Sequence, residues 1–92
     1  MPTFESILEK ANDTTLQGKP VQVLSHLDDA DLVQLYDLAP DMSWLTDPMD
    51  SAGKSIADTI FWAAGVNPEE ITEDTFDDAL ESAVKKLRVM MD

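Results

Sequence analysis

Apolar residues recur along most of this chain at spacings of three and four positions, which is the pattern of amphipathic α-helices. Few glycines and prolines interrupt it, and no internal repeat or domain boundary is visible. The pattern predicts one all-α domain spanning residues 1–92, a compact bundle of about four helices. The predicted helices cover residues 4–11, 26–39, 48–64 and a last segment that begins at 68 or 73 and ends at 91.

Capping signals mark the first two helices. Thr3 is the predicted N-cap of the first, and Ser25 begins the second, with Asp28 at the capping-box position and Pro40 just past its end. The inner face of the first helix carries Phe4, Ile7, Leu8 and Ala11, and that of the second Leu32, Tyr36 and Ala39. Residues 12–20 are interpreted as a loop. Residues 21–23 alternate like a strand, but without an obvious partner they are interpreted as an extended linker.

The third helix is predicted to begin with Asp47 as N-cap and Pro48 in the first turn, and to end at Gly65. Gly53 weakens its early part, so a later start near Ser51 or Gly53 is the alternative. Its inner face carries Ile56, Ile60 and Ala64.

Two starts compete for the last helix. Asn67 followed by Pro68 is one start signal, and Thr75 with Asp78 three residues later is the other. Either one helix runs from 68 to 91, or a short turn at 68–71 precedes a helix from about 73. In both cases the inner stripe consists of Phe76, Leu80, Ala83, Leu87 and Met90/Met91, and Glu81 and Lys85 form a favourable i, i+4 pair.

Charge is the most unusual property of the chain. The sequence has 19 acids and 6 bases, a net charge of −13, and residues 28–84 contain 15 acids and a single base, Lys54. Such a charge opposes direct binding to nucleic acid or to an anionic membrane, and it favours a protein partner with a basic surface. Solubility alone, or adaptation to a salty cytoplasm, is the alternative explanation.

The acids are concentrated between residues 69 and 81, where no base occurs: Glu69, Glu70, Glu73, Asp74, Asp77, Asp78 and Glu81. On one continuous helix they would form two rows at i, i+4 spacing, rising about 6 Å per step, close to the spacing of phosphates along a nucleic-acid strand. The rows would also create five like-charge pairs, each opposing the helix by roughly 0.2–0.5 kcal/mol. Folding gains nothing from this repulsion, which indicates a binding function.

Helix-start chemistry accounts for part of this acidity. A helix dipole favours acids in the first turn, which covers Glu69 and Glu70 for an early start, or Asp77 and Asp78 for a late one. The same reasoning covers a second acidic cluster at the start of the second helix, made of Asp28, Asp29 and Asp31. The acids that we interpret as unexplained by folding are Asp74, Asp77, Asp78 and Glu81.

Catalytic and cofactor chemistry finds little support in the residues. The chain has no cysteine and one histidine, His26, so thiolate or histidine metal sites and a catalytic triad are not predicted. The Gly53-Lys54-Ser55 stretch lacks the first glycine of a phosphate-binding loop. We therefore predict a protein that is not an enzyme and has no cofactor or metal. No signal peptide and no apolar run of about 18 residues is present, so a cytoplasmic location is expected.

The charge pattern resembles that of small acidic DNA-mimic inhibitors, the anti-restriction and anti-CRISPR class encoded by phages and mobile elements. The resemblance implies an inhibitor that presents carboxylates to the nucleic-acid-binding surface of a target protein. The predicted binding residues are the seven acids of 69–81 together with Asp28, Asp29 and Asp31. The alternative is an acidic adaptor or assembly factor that binds its partner through an apolar patch.

Two tryptophans decide how much apolar surface is available for such a patch. Trp62 follows Ile60 and Phe61, and three consecutive helical residues cannot all face one side. Trp44 lies in the preceding loop. The favoured interpretation places both rings in the bundle core. Otherwise Trp44 or Trp62, with Met90 and Met91, would form an anchor at a protein interface or a homodimer seam.

Overall fold

The computed structural model describes residues 3–16, 19–22, 24–48 and 53–91. In these ranges the chain forms α1 (Phe4–Leu8), α2 (Asp29–Leu38), α3 (Ser43–Thr46), α4 (Ile56–Ala63) and α5 (Phe76–Met91). Three short 3-10 turns cover Glu9–Ala11, Leu24–His26 and Pro68–Glu70, and two strands, β1 and β2, cover Asn12–Leu16 and Lys19–Gln22. α2 packs against α1, α4 and α5, and α4 packs against α5. This arrangement confirms the predicted all-α bundle.

Three of the helices begin with a reciprocal capping box. In each, the N-cap side chain accepts the backbone N–H of the residue three positions on, whose own side chain accepts the N-cap N–H. Each box satisfies two N–H groups that the helix itself leaves without a partner. The pairs are Thr3 and Ser6, Asp28 and Asp31, and Ser55 and Asp58.

These boxes correct two predicted helix starts. α2 begins at Asp29 rather than at 26, because Asp28 is its N-cap instead of the third helical residue predicted from Ser25. α4 begins at Ile56 rather than at Pro48, because Ser55 is its N-cap and Asp47 closes the separate helix α3.

The alternative start for α4 near Gly53 is also too early. Gly53 has φ of +77°, a left-handed conformation outside the helical range, and it precedes the capping residue Ser55. The other alternative, Ser51, lies outside the described residues. At the opposite end the prediction is confirmed, because Gly65 follows α4 with φ of +79° and its N–H donates to the Trp62 carbonyl at 3.0 Å.

Two short antiparallel strands, β1 and β2, replace most of the predicted loop and linker between α1 and α2, and residues 17, 18 and 23 of those segments lie outside the described residues. β1 and β2 pair with Asn12 opposite Gln22 and Leu16 opposite Lys19, and the register is irregular between these ends. Val21, interpreted from the sequence as linker, is therefore a strand residue opposite Asp13. The prediction was wrong because the partner strand has no apolar–polar alternation that would reveal it.

The core is built from apolar residues of all the longer helices, and the predicted stripes of α1 and α4 are buried. In α2 the buried face is centred on Leu32 and Leu35, whereas Tyr36 and Ala39 are only half-buried. The predicted stripe of α5 holds as far as Leu87, but Met90 and Met91 are 55% and 42% exposed. The last turn of α5 thus lies outside the core.

One buried carboxylate stabilises the start of α2. Asp31 is 7% exposed, and its Oδ1 lies 2.9 Å from Lys10 Nζ while the carboxylate also accepts the N–H of Asp28. Burial alone would raise the pKa of Asp31, but the hydrogen bond from Lys10 and that from the Asp28 backbone outweigh it and hold the pKa below its usual value of 3.8. The ion pair of Asp31 with Lys10 therefore joins the start of α2 to the 3-10 turn Glu9–Ala11 that follows α1.

We expect Asp31→Ala to lower the free energy of unfolding by about 1–2 kcal/mol, because it removes a cap and leaves Lys10 without its partner. Asp37→Ala is the control. Asp37 forms an ion pair with Arg88 of α5, but both side chains are about half exposed, so its loss is expected to cost less than about 1 kcal/mol. Urea unfolding of both variants measures the difference, and equal losses would contradict a special role for Asp31.

The lowered pKa of Asp31 also predicts a pH dependence. A carboxylate with a lower pKa in the folded state contributes stability that is complete above its unfolded pKa and is lost as the pH falls through the folded one. Between neutral pH and a pH just below the ordinary value of 3.8, the stability difference between the wild type and Asp31→Asn should therefore shrink. Urea midpoints measured across this range test it, and a constant difference would show that the ionised form contributes nothing.

Candidate acidic interaction surface

The run of acids at 69–81 does not lie on one helix. Glu69 and Glu70 belong to the Pro68–Glu70 turn, where the side-chain oxygen of Asn67 accepts the Glu69 N–H at 3.1 Å. Ile71 then leaves the turn in an extended conformation and is half-buried against the core. The second predicted alternative, a short turn followed by a separate helix, is confirmed.

A second turn separates this segment from α5. Glu73 and Asp74 lie in it, and the Thr75 hydroxyl donates to the Thr72 carbonyl at 3.3 Å. The Ala79 N–H donates to the Thr75 carbonyl at 2.8 Å, so the first helical hydrogen bond of α5 starts at Thr75. The helix begins at Phe76, three residues later than the estimate of about 73.

The two rows of acids predicted for a continuous helix therefore do not form. Of the five expected i, i+4 pairs, only Asp77 with Glu81 lies inside α5. The other four pairs do not have the helical i, i+4 spacing, so the repulsion specific to that spacing does not apply to them. The regular 6 Å spacing of carboxylates predicted from the sequence is lost with the rows.

Because α5 begins later than predicted, the set of acids that the helix dipole stabilises also changes. Asp77 and Asp78 occupy the first turn of α5, where the helix dipole stabilises a negative charge by about 0.3–1 kcal/mol. They were among the acids interpreted as unexplained. Glu73, Asp74 and Glu81 receive no such stabilisation, because they lie before or beyond that first turn.

All seven acids of this run are exposed. Within the described ranges the ion pairs join Lys10 to Asp31 and Arg88 to Asp37, so none involves these seven carboxylates. The predicted pair of Glu81 with Lys85 is not among them either. We call the seven residues of 69–81 the acidic edge: Glu69, Glu70, Glu73, Asp74, Asp77, Asp78 and Glu81.

The second acidic cluster has a structural role. Asp28 caps α2, and Asp31 is buried with its carboxylate held by Lys10 and by the Asp28 N–H. Asp29 is half-buried in the first turn. The helix-start explanation considered for this cluster fits all three positions, and only Asp28 is exposed.

The two tryptophans have different environments. Trp44 is 38% exposed, and its ring meets that of Phe4 edge to face with centroids 5.0 Å apart. Trp62 is 55% exposed and lies on the side of α4 opposite the buried Ile60 and Phe61. The favoured prediction that the core absorbs both rings is therefore wrong. Trp44 packs on Phe4 but stays exposed, and Trp62 faces outward because the core face of α4 is already filled.

Three segments meet at the end of α4 that carries Trp62. Phe61 stacks edge to face on Phe76 at the start of α5, with centroids 5.6 Å apart. The Val66 N–H donates to the Phe61 carbonyl at 2.8 Å, which turns the chain, and the Pro68–Glu70 turn packs back on α4. The Pro68–Glu70 turn and the start of α5 thus both pack against α4.

The bases of α5 lie at its other end. Lys85, Lys86 and Arg88 follow the last acid of the edge, and all three are exposed. Arg88 is held by Asp37 of α2, and Lys86 reaches toward Gly65. α5 is therefore acidic at its start and basic near its end, which suits the direction of its dipole.

Metal and membrane chemistry receive no support from the described residues. No group of three or more His, Cys, Asp or Glu side chains in these ranges is arranged to hold a metal ion. No helix there has the combined length and apolarity needed to span a membrane. Comparison with protein-family models, curated proteins and solved structures finds no match to the chain.

The exposure of Trp62 predicts that the fold does not need its ring. Trp62→Ala should change the free energy of unfolding by no more than about 0.5 kcal/mol. Phe61→Ala, one residue earlier, removes a fully buried ring that contacts Phe76 and should cost about 3–5 kcal/mol. Chemical unfolding followed by far-UV circular dichroism compares the two. A large loss for Trp62→Ala would place its ring in the core.

Proposed function

We propose that this chain is a non-enzymatic acidic protein that binds the basic, nucleic-acid-binding surface of another protein. The observation that carries the proposal is the acidic edge, seven exposed carboxylates with no ion pair to another described residue. A net charge of −13 would steer a basic partner toward the chain and repel nucleic acid itself. An inhibitor of the phage or mobile-element counter-defence class, in a bacterial cytoplasm, is the biological role this chemistry fits.

We propose that the acidic edge imitates the charge of a nucleic acid without reproducing a regular row of phosphates. The acids occupy a 3-10 turn, a second turn and the start of α5, so they do not follow one helix axis. Such a surface neutralises cations through its local charge density. Partner binding therefore does not require a straight groove with evenly spaced arginines.

Three acids suit a test of this proposal because capping and the α5 dipole do not depend on them. In the site variant, the three reversals are Glu70→Lys, Glu73→Lys and Asp74→Lys. A control variant reverses three exposed acids elsewhere, Glu5→Lys, Glu9→Lys and Asp47→Lys. Each reversal adds two charges, so both variants change the net charge from −13 to −7. Any effect of net charge alone on partner binding is then the same for the site variant and the control variant.

The chain and both variants are immobilised, and bacterial lysate is passed over them at about 50 and about 200 mM salt, with and without excess DNA. We expect a basic protein to be retained at low salt, released by DNA, and bound roughly ten- to a hundredfold more weakly by the site variant, if each charge contributes about 0.5–1 kcal/mol. The control variant should bind nearly as the wild type does. Equal losses in the two variants would contradict the proposal.

A second candidate is an acidic adaptor or assembly factor that binds its partner through apolar side chains, with charge serving solubility and steering. Its supporting observation is the exposure of Trp62 and of the last turn of α5, where Val89 is 74% exposed. For such an adaptor, Trp62→Ala would abolish binding, while salt and the site variant would have little effect. Trp44 is the weaker candidate anchor, because its ring already packs on Phe4.

A further inference from the structure

We draw no further inference here: the strongest candidate, the exposed apolar last turn of α5 formed by Val89, Met90 and Met91, carries none because nothing in the structure shows what covers it.

Discussion

The packing of α5 against α2 and α4 is the constraint on which the other features depend. Its buried stripe of Leu80, Ala83, Val84 and Leu87 closes the core, and Phe76, the first residue of the helix, packs its ring edge to face on Phe61 of α4. Because α5 starts at Phe76, the preceding acids cannot belong to it. The helix that completes the core is therefore also the one whose start decides which acids are helical.

The acidic residues of this chain have two different roles. Some acids stabilise the fold directly: Asp28 and Asp31 cap α2, and Asp41 accepts the Ser43 N–H at 2.9 Å at the start of α3. The acidic edge has no comparable partners among the described residues. A chain with net charge −13 loses stability through self-repulsion, and the division of the edge among two turns and one helix reduces that loss. What remains is a dense, irregular anionic surface rather than a line of charges.

The helix faces were predictable from the sequence, whereas several helix starts were not. A face follows from the spacing of apolar residues, so the stripes of α1 and α4 could be read correctly. A capping box requires only a Ser, Thr or Asp with a side-chain acceptor such as Ser or Asp three positions later, and in this chain such pairs occur repeatedly. Two candidate boxes overlap at the start of α2, Ser25 with Asp28 and Asp28 with Asp31, and the folded chain forms the second. The strand pair was missed because strand pairing depends on residues that a local pattern does not connect.

The sequence by itself determined the predominantly helical class, the excess of acids and the absence of cysteine. These properties follow from the composition and from the spacing of apolar residues, and neither depends on how the helices pack. Tertiary structure decided which acids belong to α5, that Asp31 is buried beside Lys10, and that Trp62 faces outward while Phe61 fills the core. These outcomes depend on contacts between residues far apart in the chain, where the burial of a ring or the pairing of a carboxylate outweighs local helix preference.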